Sequence, residues 1–160
     1  EKIYMKILKR FEPIVAGLSA SIIIAVLAFL SFETSTGFWL MFSFGSTTLI
    51  VMVFYKSEFA QPRNIFFGHL LGITVGILFN EFIGISFITL GLAVGLTVTL
   101  MIYFKVIHPP AASNPLIALF ADVSVDYIIF PVTVGSIVII FLSVIINKYI
   151  LKRNYPKQWF

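Results

Sequence analysis

Apolar residues in this chain do not alternate with polar ones at the two-residue period of a half-buried strand. They run on with few polar interruptions for most of five long stretches. A helix rising about 1.5 Å per residue needs roughly 17 to 25 such residues to cross a hydrocarbon layer about 30 Å thick. Residues 14–32, 38–55, 65–80 (slightly short) and 85–107 fit that requirement, and another stretch covers 127–146. Before the last lies a shorter apolar piece, 111–121, reached through His108-Pro109-Pro110. That piece is either a re-entrant turn, giving five crossings, or a short broken span, giving six.

The charges decide between them, because Lys and Arg in short loops stay on the cytoplasmic side. With a cytoplasmic N-terminus and six crossings, Lys2, Lys6, Lys9, Arg10, Lys56, Arg63, Lys105, Lys148, Lys152, Arg153 and Lys157 share that side. The opposite side receives Glu33, Glu81, Asp122 and Asp126. Five crossings would put the basic residues of the tail outside, so the pattern predicts six. Composition agrees: only 11% of residues are charged, against about 25% in a soluble domain. The net charge of +4 therefore reports orientation in a membrane and not affinity for nucleic acid. With no cysteine, disulfide, thiol and iron–sulfur chemistry are excluded. The expectation is an all-α integral protein of a bacterial inner membrane with both termini cytoplasmic.

Sliding the sequence by 67 residues lays Gly45-Ser46-Thr47-Thr48 over Ala112-Ser113-Asn114-Pro115 and Gly68 over Gly135. The identity is weak. Each half, approximately 11–80 and 81–150 of a single transmembrane domain, then reads as a long span, a short small-residue-rich element and a Gly-containing third span. Three crossings per half make the halves inverted, a plan recurrent in transporters whose sites lie where helices are interrupted.

Polar residues inside the apolar runs are the candidates for chemistry. Pro109 and Pro110 cannot continue the helix before them but suit the first turn of a new one, and Pro115 follows in that turn. The new start offers unpaired N–H groups and a positive dipole end beside Ala112, Ser113 and Asn114, an anion-binding geometry in outline. The alternative is a proline kink with His108 capping the preceding helix. Pro62 ends the loop before the third span, Arg63 and Asn64 open it, and His69 lies farther along it; an intramembrane His is by default a functional hypothesis. Structural hydrogen bonding of His69 and snorkelling of Arg63 to lipid phosphates are the bland readings. Ser46, Thr47 and Thr48 either line a polar path or bond back to carbonyls of the preceding turn. Lys105 either complements a helix C-terminus or attracts an entering anion. Gly68, Gly72 and Gly76 on one span, and Gly91 and Gly95 on the next, predict packing faces. No nucleophile–base pair or paired carboxylates suggest an enzyme, and neither a cofactor nor a metal site is expected.

Phe44-Gly45-Ser46, Ala60-Gln61-Pro62-Arg63-Asn64, Gly68-His69-Leu70 and His108-Pro109-Pro110-Ala111 together resemble the HPP family of integral membrane proteins. The resemblance covers most of the chain. It implies a membrane protein usually described with four helices, fewer than the charges predict here. It also implies nitrite transport, associated with a plant plastid member, while some bacterial relatives add CBS domains. The family commonly continues after H-P-P-A with glycine and small residues, where this chain has Ala112, Ser113, Asn114 and Pro115. The expected function is a transporter or channel for a small inorganic anion, with nitrite first. The expected binding residues are Arg63, Asn64, His69, Lys105, His108, Ala112, Ser113, Asn114, Ser46 and Thr47. Membrane lipid and further copies of the chain, as a dimer or trimer, are the expected partners. A membrane-embedded sensor or assembly module without transport is the alternative.

Overall fold

The computed structural model describes residues 11–34 and 39–159 and is all-helical there. Lys2, Lys6, Lys9, Arg10 and the start of the second apolar stretch at Phe38 lie outside the described residues. Three helices are long and apolar enough to cross a membrane: α1 (Glu12–Glu33), α3 (Pro62–Phe82) and the last one, Ile128–Ile150. Between them stand α2 (Ser43–Val53), α4 (Phe87–Tyr103) and α5 (Asn114–Ala121). A single tight turn, Pro109–Ser113, precedes α5. The central part of the last helix, Val134–Val144, is α6.

The solvent for these helices is apolar. Along α1 only Ala16, Ser19, Ile23 and Leu27 are buried, a stripe at helical spacing. Its other faces expose Leu18, Ile22 and Phe29, an arrangement costly in water and natural in lipid.

Local chemistry sets the helix ends. Pro62 starts α3, where a missing N–H costs nothing. The run that predicts a helix to residue 107 stops at Tyr103 because Lys105 takes a left-handed conformation (φ 55°). The Val106 N–H returns to the Met101 carbonyl and that of Lys105 to Ile102, closing the helix end as glycine usually does. The second apolar stretch, 38–55, is helical only over the 11 residues of α2, about 17 Å of rise. Hydropathy does not separate that helix from the apolar, non-helical residues 39–42 before it. Pro131 interrupts the last helix, with Phe130 in an extended conformation (φ −121°, ψ 124°).

Successive elements alternate in direction. At one end, Arg153 pairs with Glu12 at 2.6 Å and donates to the Met52 carbonyl and Asn147, while Arg63 donates to the Phe104 carbonyl. This is the basic end. At the opposite, acidic end, Asn80 of α3 donates to Asp122 just after α5. The tail returns along the basic end: the Tyr155 hydroxyl donates to Ala60, and the Lys157 N–H to the Gln61 side chain. Burial pushes the Tyr155 phenol well above its ordinary range, so it stays a donor at every physiological pH.

Glycines fix the closest approaches. A Cβ on Gly68 would strike His108 and crowd the Val106 carbonyl and Ala111; on Gly72 it would strike the Ala111 carbonyl, and on Gly76 Pro115 and Ala118. The predicted glycine face of α3 is thus occupied within the chain, by the 109–121 segment. On Gly135 a Cβ would strike Phe44 and the Trp39 carbonyl. Positions 39 and 106, 44 and 111, and 68 and 135 are each separated by the same 67 residues.

Candidate functional site

Two short elements and one long helix meet in the middle of the bundle and bring four polar side chains together. α3 supplies His69, α2 supplies Thr47, the break after α4 supplies His108, and the first residue of α5 supplies Asn114. All four are fully buried. Burial of polar groups at this depth requires that each find a partner, and each does. The Thr47 hydroxyl lies 2.8 Å from His69 Nε2 and 3.0 Å from His108 Nε2. It is also 3.1 Å from the Ser43 carbonyl oxygen, one helical turn back. Asn114 Nδ2 donates to the His69 carbonyl at 3.0 Å and meets His69 Nδ1 at 3.1 Å. Asn114 Oδ1 accepts from the Ser43 hydroxyl at 2.9 Å. His108 Nδ1 donates to the Phe59 carbonyl at 2.7 Å. The two imidazoles pack edge to face with centroids 4.8 Å apart, and Phe44 packs edge-on against His69 at 5.1 Å.

The remaining sequence candidates fall in two groups. Arg63, Asn64 and Lys105 line a polar cavity of about 180 Å³ at the basic end, together with Glu58, Gln61 and Gln158. The Asn64 amide donates to the carbonyl of Ile107, the residue before His108, so this cavity and the buried network share a stretch of backbone. At the helix start after the prolines, the Ser113 hydroxyl returns to the Pro110 carbonyl, and the Ala111 N–H to His108. Ala112 is half-buried beside them. Ser46 is exposed, with its hydroxyl on the Ser43 carbonyl, and Thr48 bonds back to Gly45. Of the hydroxyl run, Thr47 alone reaches the histidines among the described contacts.

Sequence reasoning missed Ser43 and Gln61. Ser43 stands four residues before Thr47, on the same helix face, and that spacing was its signal. The buried Gln61 amide donates to the Tyr55 and Ser57 carbonyls and its oxygen accepts from the tail. It thereby holds the turn that presents the Phe59 carbonyl to His108.

The chain is 31% identical over 153 residues to a protein of Dictyostelium discoideum named only as a transmembrane protein, a match covering 89% of this chain and 49% of that one. A second transmembrane protein of the same organism is 29% identical over 125 residues, covering 73% of this chain and 44% of the relative. The chain thus spans about half the length of the curated relatives it matches. No solved structure matches it. The family described as HPP, transmembrane region, matches residues 6–156, nearly the whole of the chain, and the chain belongs to this family of membrane proteins.

Proposed function

We propose that this chain forms a transporter or channel for a small inorganic anion, with nitrite the first candidate. The observation that supports it is the adjacency of a basic, polar cavity to a buried polar network inside an apolar bundle. The anion sits at the start of α3, where Gln61 provides no side-chain cap and the first N–H groups of the helix join Arg63, Asn64 and Lys105. His108 lies directly behind, across the Ile107 carbonyl that Asn64 holds. Six passes with both termini on the cytoplasmic side put this cavity at the inner face, where Lys and Arg collect.

Two inverted halves account for the exchanged glycine contacts. Gly68 of the first half receives Val106 and Ala111 of the second, and Gly135 of the second receives Trp39 and Phe44 of the first. Thr47 and Asn114 then occupy equivalent places and flank His69 from its two ring nitrogens, as expected for a site between inverted repeats.

Nitrite flux into proteoliposomes tests the assignment, with protein-free vesicles as control because nitrous acid crosses bilayers unaided. A lost charged hydrogen bond costs about 1.5–3 kcal/mol, so Arg63→Ala and His108→Ala are expected to slow flux by roughly tenfold or more. Unchanged flux in both variants would sink it. The complete burial of the central network is what favours a sealed sensor or assembly module instead; wild-type flux equal to the protein-free control would select that reading.

A further inference from the structure

The hydrogen-bond distances around Thr47 admit few proton arrangements. Its oxygen has one hydrogen and two lone pairs, and it faces three groups: His69 Nε2, His108 Nε2 and the Ser43 carbonyl oxygen. A carbonyl only accepts. The outer ring nitrogens are fixed independently. His108 Nδ1 faces the Phe59 carbonyl at 2.7 Å and must carry a hydrogen. His69 Nδ1 faces the Asn114 amide nitrogen, which must be a donor because it also binds the His69 carbonyl, so His69 Nδ1 carries none.

With both rings neutral, one arrangement remains. His69 donates from Nε2 to Thr47, Thr47 donates to His108 Nε2, and His108 donates from Nδ1 to Phe59. Adding one proton also leaves one arrangement. It sits on His108 Nε2, both rings donate to the Thr47 oxygen, and the Thr47 hydrogen turns to the Ser43 carbonyl. No heavy atom need move. A second proton would fall on His69 Nδ1, hydrogen against hydrogen with the Asn114 amide, which cannot flip without losing both the His69 carbonyl and the Ser43 hydroxyl.

We propose that the network is a site for a single proton, taken up at His108 Nε2 and registered by rotation of the Thr47 hydroxyl. The proton comes from hydronium: an N–H bond forms on His108, water is released, and the site gains one positive charge. α2 and α5 contain no charged or titratable side chain. The groups around His108 are His69 and Arg63 from α3, Glu58 from the turn below and Lys105 from the connection above. Tyr155 of the tail is bonded to Ala60, next to Phe59. No Asp or Glu is among the buried residues, so a charge on His108 lacks a carboxylate within the bundle. If the cavity holds an anion, as the proposed function states, proton and anion each raise the affinity for the other, and the pair moves without net charge.

Nitrogen-15 NMR of histidine-labelled full chain in lipid bilayers reads the proton positions without any transport, so failure here and failure of the anion assignment are separate results. The expected spectrum at neutral pH has two uncharged rings of opposite tautomer. On acidification one ring alone becomes imidazolium, and that ring is the one hydrogenated at Nδ1 beforehand. Identical tautomers, or both rings charging together, would overturn the proposal. Thr47→Val is expected to abolish the opposite-tautomer pattern and Thr47→Ser to keep it; the wild-type spectrum decides even if the valine variant does not fold.

Discussion

A single hydroxyl hydrogen at Thr47 orders two imidazoles, and around it every buried polar atom of the site depends on a neighbour. Asn114 shows the stakes. It satisfies the His69 carbonyl, His69 Nδ1 and the Ser43 hydroxyl at once, and a buried group left unpaired costs about 1–3 kcal/mol. Asn114→Ala is therefore expected to lower the thermal unfolding midpoint of the detergent-solubilised protein by several degrees. Ser46→Ala, at an exposed position whose hydroxyl returns to its own helix, is expected to leave it unchanged. Circular dichroism checks both, and equal losses would contradict the network. In the second half of the chain, Ser136 stands 67 residues beyond His69. The imidazole chemistry therefore belongs to one half only.

The elements around the site explain what the sequence revealed and what it hid. His69, His108, Thr47 and Asn114 were legible because polar atoms in apolar runs are conspicuous, and the Pro109-Pro110 break because two prolines cannot sit inside a helix. The Phe59 carbonyl was not legible, since backbone acceptors leave no mark in a sequence. Nor was the end of α4, where a lysine takes the place usual for glycine. The glycine spacing on α3 was visible, but not which partner it meets. Packing supplies that: Gly72→Ala would press a methyl on the Ala111 carbonyl and to 3.1 Å from the Asn114 Cβ, an overpacking cost of about 1–3 kcal/mol. Gly91→Ala and Gly95→Ala meet nothing within 4 Å and are expected to be neutral or to stabilise by up to about 1 kcal/mol. The same melting measurement separates the two sets, and a fall for Gly91→Ala matching that for Gly72→Ala would show that a further surface covers α4.

Across the whole molecule, charge is sorted at the two ends and packing is shared between the two halves. The tail ties α1, the α2–α3 turn and the last helix together through Arg153, Tyr155 and Lys157, which shields the turn that carries Phe59. The exchanged glycine contacts reach further. Each half holds the groove into which the other's short element fits, so neither half has a complete interior alone. Severed at the Gly84 turn, where φ is +84°, the chain becomes two complementing fragments. Co-expressed, 1–84 and 85–160 are expected to co-purify as one particle, while either fragment expressed alone is degraded; a fragment that accumulates and melts cooperatively without its counterpart would contradict this. Such mutual dependence makes the molecule, in effect, a heterodimer written as one polypeptide.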